Sequence, residues 1–168
     1  MIDRPTSPLG PTLETERLFL RPPTLEDFPL WADFMSDPET TRFIGGVQSQ
    51  HEVWRAMASV AGMWALHGEG MFSLIEKTTG LWMGRVGPLH PYGWPGREVG
   101  WSLHRDATGK GYAIEAAAAT MDYACDVLDW PDVIHCIDPD NRASEKVAER
   151  LGSINRGPGV MPPPFHEH

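Results

Sequence analysis

The stretch Glu98–Ala116, EVGWSLHRDATGKGYAIEA, constrains this chain more than any other part of it. Its first residues alternate as a strand does, two glycines then flank a lysine, and an alanine-rich helix follows. Gly109 and Gly111 allow consecutive backbone N–H groups to converge with no Cβ in the way. The start of the helix adds unpaired N–H groups and the positive end of its dipole. Such a turn is either purely structural or a site for an anion such as phosphate. Two named phosphate motifs are excluded. The G-x-x-x-x-G-K-[ST] loop fails because His104 stands at its first glycine and Gly111 follows Lys110. The dinucleotide pattern G-x-G-x-x-G fails because Ile114 occupies its third small position.

The remaining segments arrange themselves around this unit. Arg17–Pro23 reads as a strand stopped by a double proline, and Thr24 as the cap of a helix carrying Phe28, Trp31 and Met35. A second helix is expected from about Gln50 to Leu66. Met71–Lys77 and Leu81–Leu89 form strands across a short turn, and Arg97–His104 is the next strand. The helix after the glycine turn runs to about Leu128. Asp132–Asp138 reads as a short strand, and Asn141 caps a last helix that stops at Gly152. The order β-α-α-β-β-β-α-β-α predicts a mixed α/β fold of the α+β kind with a largely antiparallel sheet. Residues 1–12, rich in proline and glycine, read as a flexible lead-in, and 13–168 as one domain.

At 168 residues the chain suits a single domain with a real core. The formal net charge of −9 disfavours nucleic acid as a partner and mildly favours cationic substrates. Cys125 and Cys136 lie in apolar stretches and are expected as buried, reduced thiols. No metal site is expected. No apolar run is long enough for a membrane span, and Met1–Thr12 lacks a signal core, so a soluble cytoplasmic protein is expected.

Glu98–Ala116, together with IDPDNRASEKVAERLG (Ile137–Gly152), resembles the GNAT superfamily of acetyl-CoA-dependent N-acetyltransferases, in particular its RimJ/RimL-type branch. LETERLFLRPPTLED and MSDPETTRFIGG are similar to the opening of that branch, so the resemblance covers about residues 13–155. It implies a central, mostly antiparallel sheet flanked by helices, with a splayed cleft for the cofactor, acetyl-CoA. By position it implies that Leu103 and His104 lend backbone groups to the pantetheine arm. Gly109, Lys110, Gly111, Tyr112 and Ala113 would offer N–H groups to the pyrophosphate. Asn141 and Ser144 would face the cofactor near its thiol end. Two departures stand out. Asp106 occupies a place where Gln or Arg is usual, leaving Arg105 or Lys110 to compensate. Ala148 occupies the place of a tyrosine that reprotonates the leaving thiolate, leaving Ser144 as the candidate acid.

Glu98 is the candidate general base, acting through water; its bland alternative is a solvated or salt-bridged strand carboxylate. His104 and His135 are mainly structural candidates, and Trp94 is an exposed-loop aromatic that could shape an acceptor pocket. The expected function is acetyl transfer to a primary amine, on a protein N-terminus or a small molecule, by direct attack. The rival is a non-catalytic acyl-CoA-binding or regulatory module. After Gly152 the chain has room for one short strand where the fold ends in two, so the C-terminal strand region reads as incomplete, or as completed by a homodimer partner.

Overall fold

A computed structural model of the protein describes residues 2–162. The strands β1 (Leu13–Glu14), β2 (Leu18–Arg21), β3 (Phe72–Glu76), β4 (Trp82–Leu89) and β5 (Glu98–Leu103) form one sheet in the order β1-β2-β3-β4-β5, every pair antiparallel. Helices α1 (Phe28–Ser36), α2 (Pro38–Thr41) and α3 (Gln50–His67) fall between β2 and β3. Helices α4 (Tyr112–Asp126) and α5 (Arg142–Arg150) follow β5. None is long and apolar enough to cross a membrane.

Strand alternation splits the core between the two faces of this sheet. Leu18, Leu20, Phe72, Leu74, Val86 and Val99 pack with Ala116, Ala117 and Ala124 of α4, whose small side chains let the helix lie close. Phe19, Ile75 and Trp82 face the other way, against Trp31, Phe34 and Met35 of α1 and Val53 and Met57 of α3. Each fully buried side chain of this size contributes about 1.5–3 kcal/mol. Local signals agree with the packing. Ser49 and Glu52 form a reciprocal capping box at the start of α3, and Gly68, at φ 70°, ends it in the left-handed region.

Several expectations need correcting. Thr24 does not start α1 directly: its N–H donates to Asp27 (3.0 Å), and a 3-10 turn over Leu25–Asp27 comes first. Asp132–Asp138 is not a strand but an extended segment with a single parallel bridge, Glu98 to Ile134. Cys125 is exposed, because it lies on the outer side of α4. No strand occurs in 153–162, and the rest of the expected C-terminal strand region lies outside the described residues. Of the lead-in, Ile2 N–H donates to Lys77 O (3.1 Å), and Gly10 sits so tightly on Trp64 that an added Cβ would lie 2.8 Å from the ring.

One polar network inside the α1 face fixes the chain entering that helix. Arg21 on β2 donates two hydrogen bonds to Asp27 (2.8 and 2.7 Å), and both residues are buried. Ser73 Oγ donates to the same carboxylate (2.7 Å) and accepts from Trp82 Nε1 (3.1 Å). Removing one partner of such a pair leaves an uncompensated buried charge. Asp27→Ala is therefore expected to cost about 3–5 kcal/mol, read as a lower denaturant midpoint with an unchanged slope.

Candidate active site

The site begins where a ladder fails. Val99 N–H donates to Ile134 O (3.1 Å) and Ile134 N–H donates to Arg97 O (2.9 Å), the first rungs of a parallel pairing. The next rung would join Cys136 N–H to Val99 O. It does not form, because side chains take both groups. The Val99 carbonyl accepts from His135 Nδ1 (2.7 Å), and Cys136 N–H donates to Glu98 Oε1 (3.1 Å). Beyond that point β5 has an open edge among the described residues. His104 N–H donates to Met83 O (2.9 Å) on the β4 side, so the alternation of the strand turns the backbone groups of Trp101 and Leu103 towards the open edge.

The glycine turn lies at the far end of this edge. Arg105–Ala107 make a 3-10 turn, then Gly109 (φ 73°) and Gly111 (φ 81°) adopt left-handed conformations, and Gly111 caps α4. Glu115 N–H is the first of the helix to find a carbonyl, that of Gly111. The N–H groups from Gly109 to Ile114 have no acceptor among the described residues. The loop is held from outside by Arg17, which donates to Lys110 O (2.8 Å) and pairs with Glu115 (2.6 Å). Tyr112 donates its hydroxyl to Glu76, so its side chain anchors the first helical turn in the core.

On the α1 face, a pocket of ≈160 Å³ lies over β4 and β5. Gly100, paired with Gly87 across the two strands, lines its floor beside the Met71 side chain. Glu98 stands at one end, buried, its Oε2 accepting from Trp94 Nε1 (2.6 Å). Burial raises the Glu98 pKa above the usual carboxylate range, against the opposing hydrogen bonds from Trp94 and Cys136. Burial and the neighbouring Glu98 push the Cys136 thiol up to about 12. Ser144 and Asn141 line the same pocket: Ser144 Oγ accepts from Trp101 Nε1 (3.3 Å), and Asn141 Oδ1 caps α5 by accepting from Ser144 N–H (3.2 Å). A larger hollow of ≈410 Å³, between Arg4 and Asp126, is far more open and remote from the glycine turn.

Of the residues singled out in the sequence, Glu98, Asn141 and Ser144 meet in one pocket, and Leu103 and Gly109–Ala113 follow one another along the open edge and its turn. His104 does not join them. Its backbone N–H is spent on β4 and its carbonyl on Ala107, while its buried ring accepts from Asp106 N–H (3.2 Å) and donates to Asp33 (2.9 Å). Arg105 is likewise drawn away to Asp33 (2.8 Å), and Asp33 is held below its usual pKa, first by His104 and then by Arg105. His135 is a wedge: burial lowers its pKa, Nδ1 keeps the proton for Val99 O, and Nε2 accepts from Ser153 Oγ (3.0 Å). Trp94 is partly buried on Glu98 rather than exposed. Arg85, which also lines the pocket, went unnoticed in the sequence, where nothing sets it apart from a surface strand arginine.

The chain as a whole has known counterparts. A family model described as an acetyltransferase (GNAT) domain matches residues 17–154. The chain belongs to the GNAT acetyltransferase family. It is 33% identical over 150 residues to an uncharacterised N-acetyltransferase, p20, of Bacillus licheniformis, covering 87% of this chain and 84% of that one. Among solved structures it is similar to an acetyltransferase from Agrobacterium tumefaciens (38% identity, TM-score 0.78, 84% of this chain and 82% of the other). It shares its fold with RimL, a ribosomal L7/L12 alpha-N-protein acetyltransferase solved with coenzyme A (17% identity, TM-score 0.70, 84% and 82%).

GNAT acetyltransferases are acetyl-CoA-dependent acyltransferases, and the residues here fit that cofactor. A row of unpaired N–H groups at the start of a 15-residue helix suits a pyrophosphate, and a strand edge with open backbone groups suits an amide-bearing arm. Within this GNAT site Glu98 is a joint as well as a candidate base. In Glu98→Gln a single carbonyl oxygen replaces two acceptors, so one of the two N–H donors would face an NH2 group. A loss of about 1–3 kcal/mol is expected. The raised pKa sets the pH dependence of that loss. A carboxyl whose pKa is higher folded than unfolded adds stability that is full below the ordinary carboxylate range and fades as pH rises through the raised value. The stability gap between wild type and Glu98→Gln should therefore narrow as pH rises, measured by denaturant midpoints of both proteins from acid to neutral pH.

Proposed function

We propose that the protein is an N-acetyltransferase that moves the acetyl group of acetyl-CoA directly to a primary amine seated over Glu98. The observation that carries this reading is the continuity of the site: unpaired N–H groups from Gly109 to Ile114, then the open edge at Leu103 and Trp101, then the Glu98 pocket. In this reading Gly109, Lys110, Gly111, Tyr112 and Ala113 bind the pyrophosphate through their N–H groups. Leu103 holds the pantetheine arm, and Trp101 takes the backbone role first assigned to His104. Asn141 and Ser144 close the wall near the thiol end.

When bound, acetyl-CoA supplies an activated acetyl thioester. The chain supplies position and proton handling. An amine arriving as an ammonium ion gives its proton to Glu98, directly or through water, and the raised pKa of that carboxyl makes it a stronger base than a surface glutamate. An α-amine, with a pKa near ~7.8, asks least of such a base. Ser144 Oγ accepts from Trp101, which leaves its own proton to offer at the opposite wall. A thiolate with a pKa of about 8.5 needs little help, so the absence of a tyrosine at Ala148 is tolerable. Cys136 supports the direct route: a thiol at about 12 stays protonated near neutral pH and is a poor nucleophile for a covalent intermediate. RimL's description as an alpha-N-protein acetyltransferase is consistent with an α-amine acceptor.

Acetyl-CoA at 100 times its Kd is expected to stabilise the protein by about 2.7 kcal/mol, visible as a rise in Tm, and pantetheine should do much less. Gly111→Val should keep the fold near wild type yet lose most of that rise, because a β-branched residue resists φ 81° and crowds the Arg17 guanidinium, 3.4 Å from the new Cβ. A Gly111→Val protein that melts normally and responds fully to acetyl-CoA would reduce the glycine turn to a turn. Release of free thiol with an amine panel then tests transfer itself.

A further inference from the structure

Four residues stand in register across the α1 face of the sheet: Arg21 on β2, Ser73 on β3, Arg85 on β4 and Ser102 on β5. The two arginines of this row are treated very differently. Arg21 is neutralised by Asp27 through two hydrogen bonds. Arg85 has no hydrogen bond and no ion pair among the described residues, and its Nε is sealed from solvent with no acceptor. Among the described residues its partners are ring faces, Trp31 at 5.3 Å and Phe34 at 6.0 Å. Burial with no compensating charge pushes its pKa down to about 10, far below that of a solvated guanidinium. Arg85 is half-buried, with its guanidinium under the two rings at the pocket wall; a guanidinium carries five donors and stays charged, so drawing it out of water unpaired is costly.

Arg85 lines the same pocket as Glu98. Arg85 lies opposite Ser102 and Glu98 lies opposite Leu89, with the Gly87–Gly100 pair between them. At the rise of a strand the two ends of this floor are ~13 Å apart between Cα atoms, with the Met71 side chain over Gly100 between them. The pocket is thus bipolar, with a proton acceptor at one end and a fixed, unspent cation at the other.

We infer that the amine acceptor of this enzyme also carries an anionic group, a carboxylate or phosphate, which Arg85 receives while the amine lies over Glu98. The inference rests on the proposed transfer reaction and adds the class of its substrate. The small volume of the pocket, ≈160 Å³, points to an amino-acid-sized molecule. An amino acid carries no net charge near neutral pH, so the net charge of −9 neither draws nor repels it at long range, and the arginine acts only within the pocket.

The test uses matched amines that differ only in the anion: phenylalanine against phenylalanine amide, and O-phosphoethanolamine against ethanolamine. Free thiol is the readout, with wild type, Arg85→Met and Arg85→Lys. The anionic member of at least one pair should be preferred by about 30-fold or more in kcat/KM. Arg85→Met should erase that preference while still accepting the neutral amines, and Arg85→Lys should retain part of it. Arg85→Met should also melt at or above the wild-type temperature without ligand, because it removes an uncompensated charge. Equal use of both members of each pair by wild type would overturn the inference, as would a preference that survives in Arg85→Met. A marked fall in Tm for Arg85→Met, with anionic amines no better than neutral ones, would make Arg85 a packing residue on Trp31. If acetyl-CoA raises Tm but no amine gives thiol, the transfer reading fails separately. The inference is then decided by binding: phenylalanine and O-phosphoethanolamine should raise the Tm of wild type and not of Arg85→Met, and no rise in wild type overturns it.

Discussion

Everything distinctive about this site depends on one missing rung, the bond that Cys136 N–H and Val99 O do not make. Two parallel strands that begin to pair will continue unless each freed backbone group is satisfied elsewhere, because an orphaned buried N–H or C=O costs as much as the bond it lost. Here the substitutes are side chains from the residues adjoining the break. Glu98, next to Val99, reaches Cys136 N–H, and His135, next to Cys136, reaches Val99 O. The exchange is reciprocal, so β5 and the extended segment beside it leave the junction with both freed groups satisfied and are free to diverge. An open edge on β5 follows, and with it the access that a cofactor arm needs.

The same exchange explains the state of the residues around it. Glu98 can reach Cys136 N–H only from inside the sheet junction, and that burial is what raises its pKa. Burial, and after it the neighbouring carboxylate, raises the Cys136 thiol. His135 must carry its proton on Nδ1 to serve the carbonyl, which fixes Nε2 as an acceptor for Ser153 and removes the ring from proton transfer. A base, an inert thiol and a locked imidazole thus follow from one geometric event. At the other end of the open edge the problem is reversed. The N–H groups of the glycine turn are left unsatisfied, and Arg17 and Glu115 hold the turn in that state by gripping Lys110 O and the side of α4.

How far the sequence discloses this depends on whether a feature is local. The glycine turn, its helix and the four longer strands need only neighbours in the chain, and they are legible. Glu98 is legible as a candidate because it opens a strand leading to that turn. The break in the ladder is not, since His135 and Cys136 read as ordinary strand residues until Val99 is placed beside them. That is why Asp132–Asp138 suggests a strand where a single bridge exists. His104 shows the limit of a resemblance carried over by position. One residue of register decides which backbone groups face the open edge, and β4 claims His104, leaving Trp101 and Leu103. The Arg21–Asp27 pair, six residues apart within RPPTLED, spans a strand end and a helix start, and periodicity carries no trace of it.

That pair also gives the measure for the rest of the α1 face. A sheet that places two arginines in one cross-strand row needs two anions, or must leave a charge exposed. Arg21 has its anion on the next element of its own chain, where the double proline turns Asp27 back over the strand. Arg85 sits nearer the open side of the sheet, above strands whose facing residues are glycines and serine, and no anion of the described residues comes to it. Replacement by a neutral residue would relieve that cost, so a charge left in place there is set apart from the logic of packing that governs its neighbours. Stability is served by the paired arginine, and the unpaired one belongs with the glycine turn: both keep donors unsatisfied in the folded protein, the turn towards a phosphate and the arginine towards whatever enters beside Glu98.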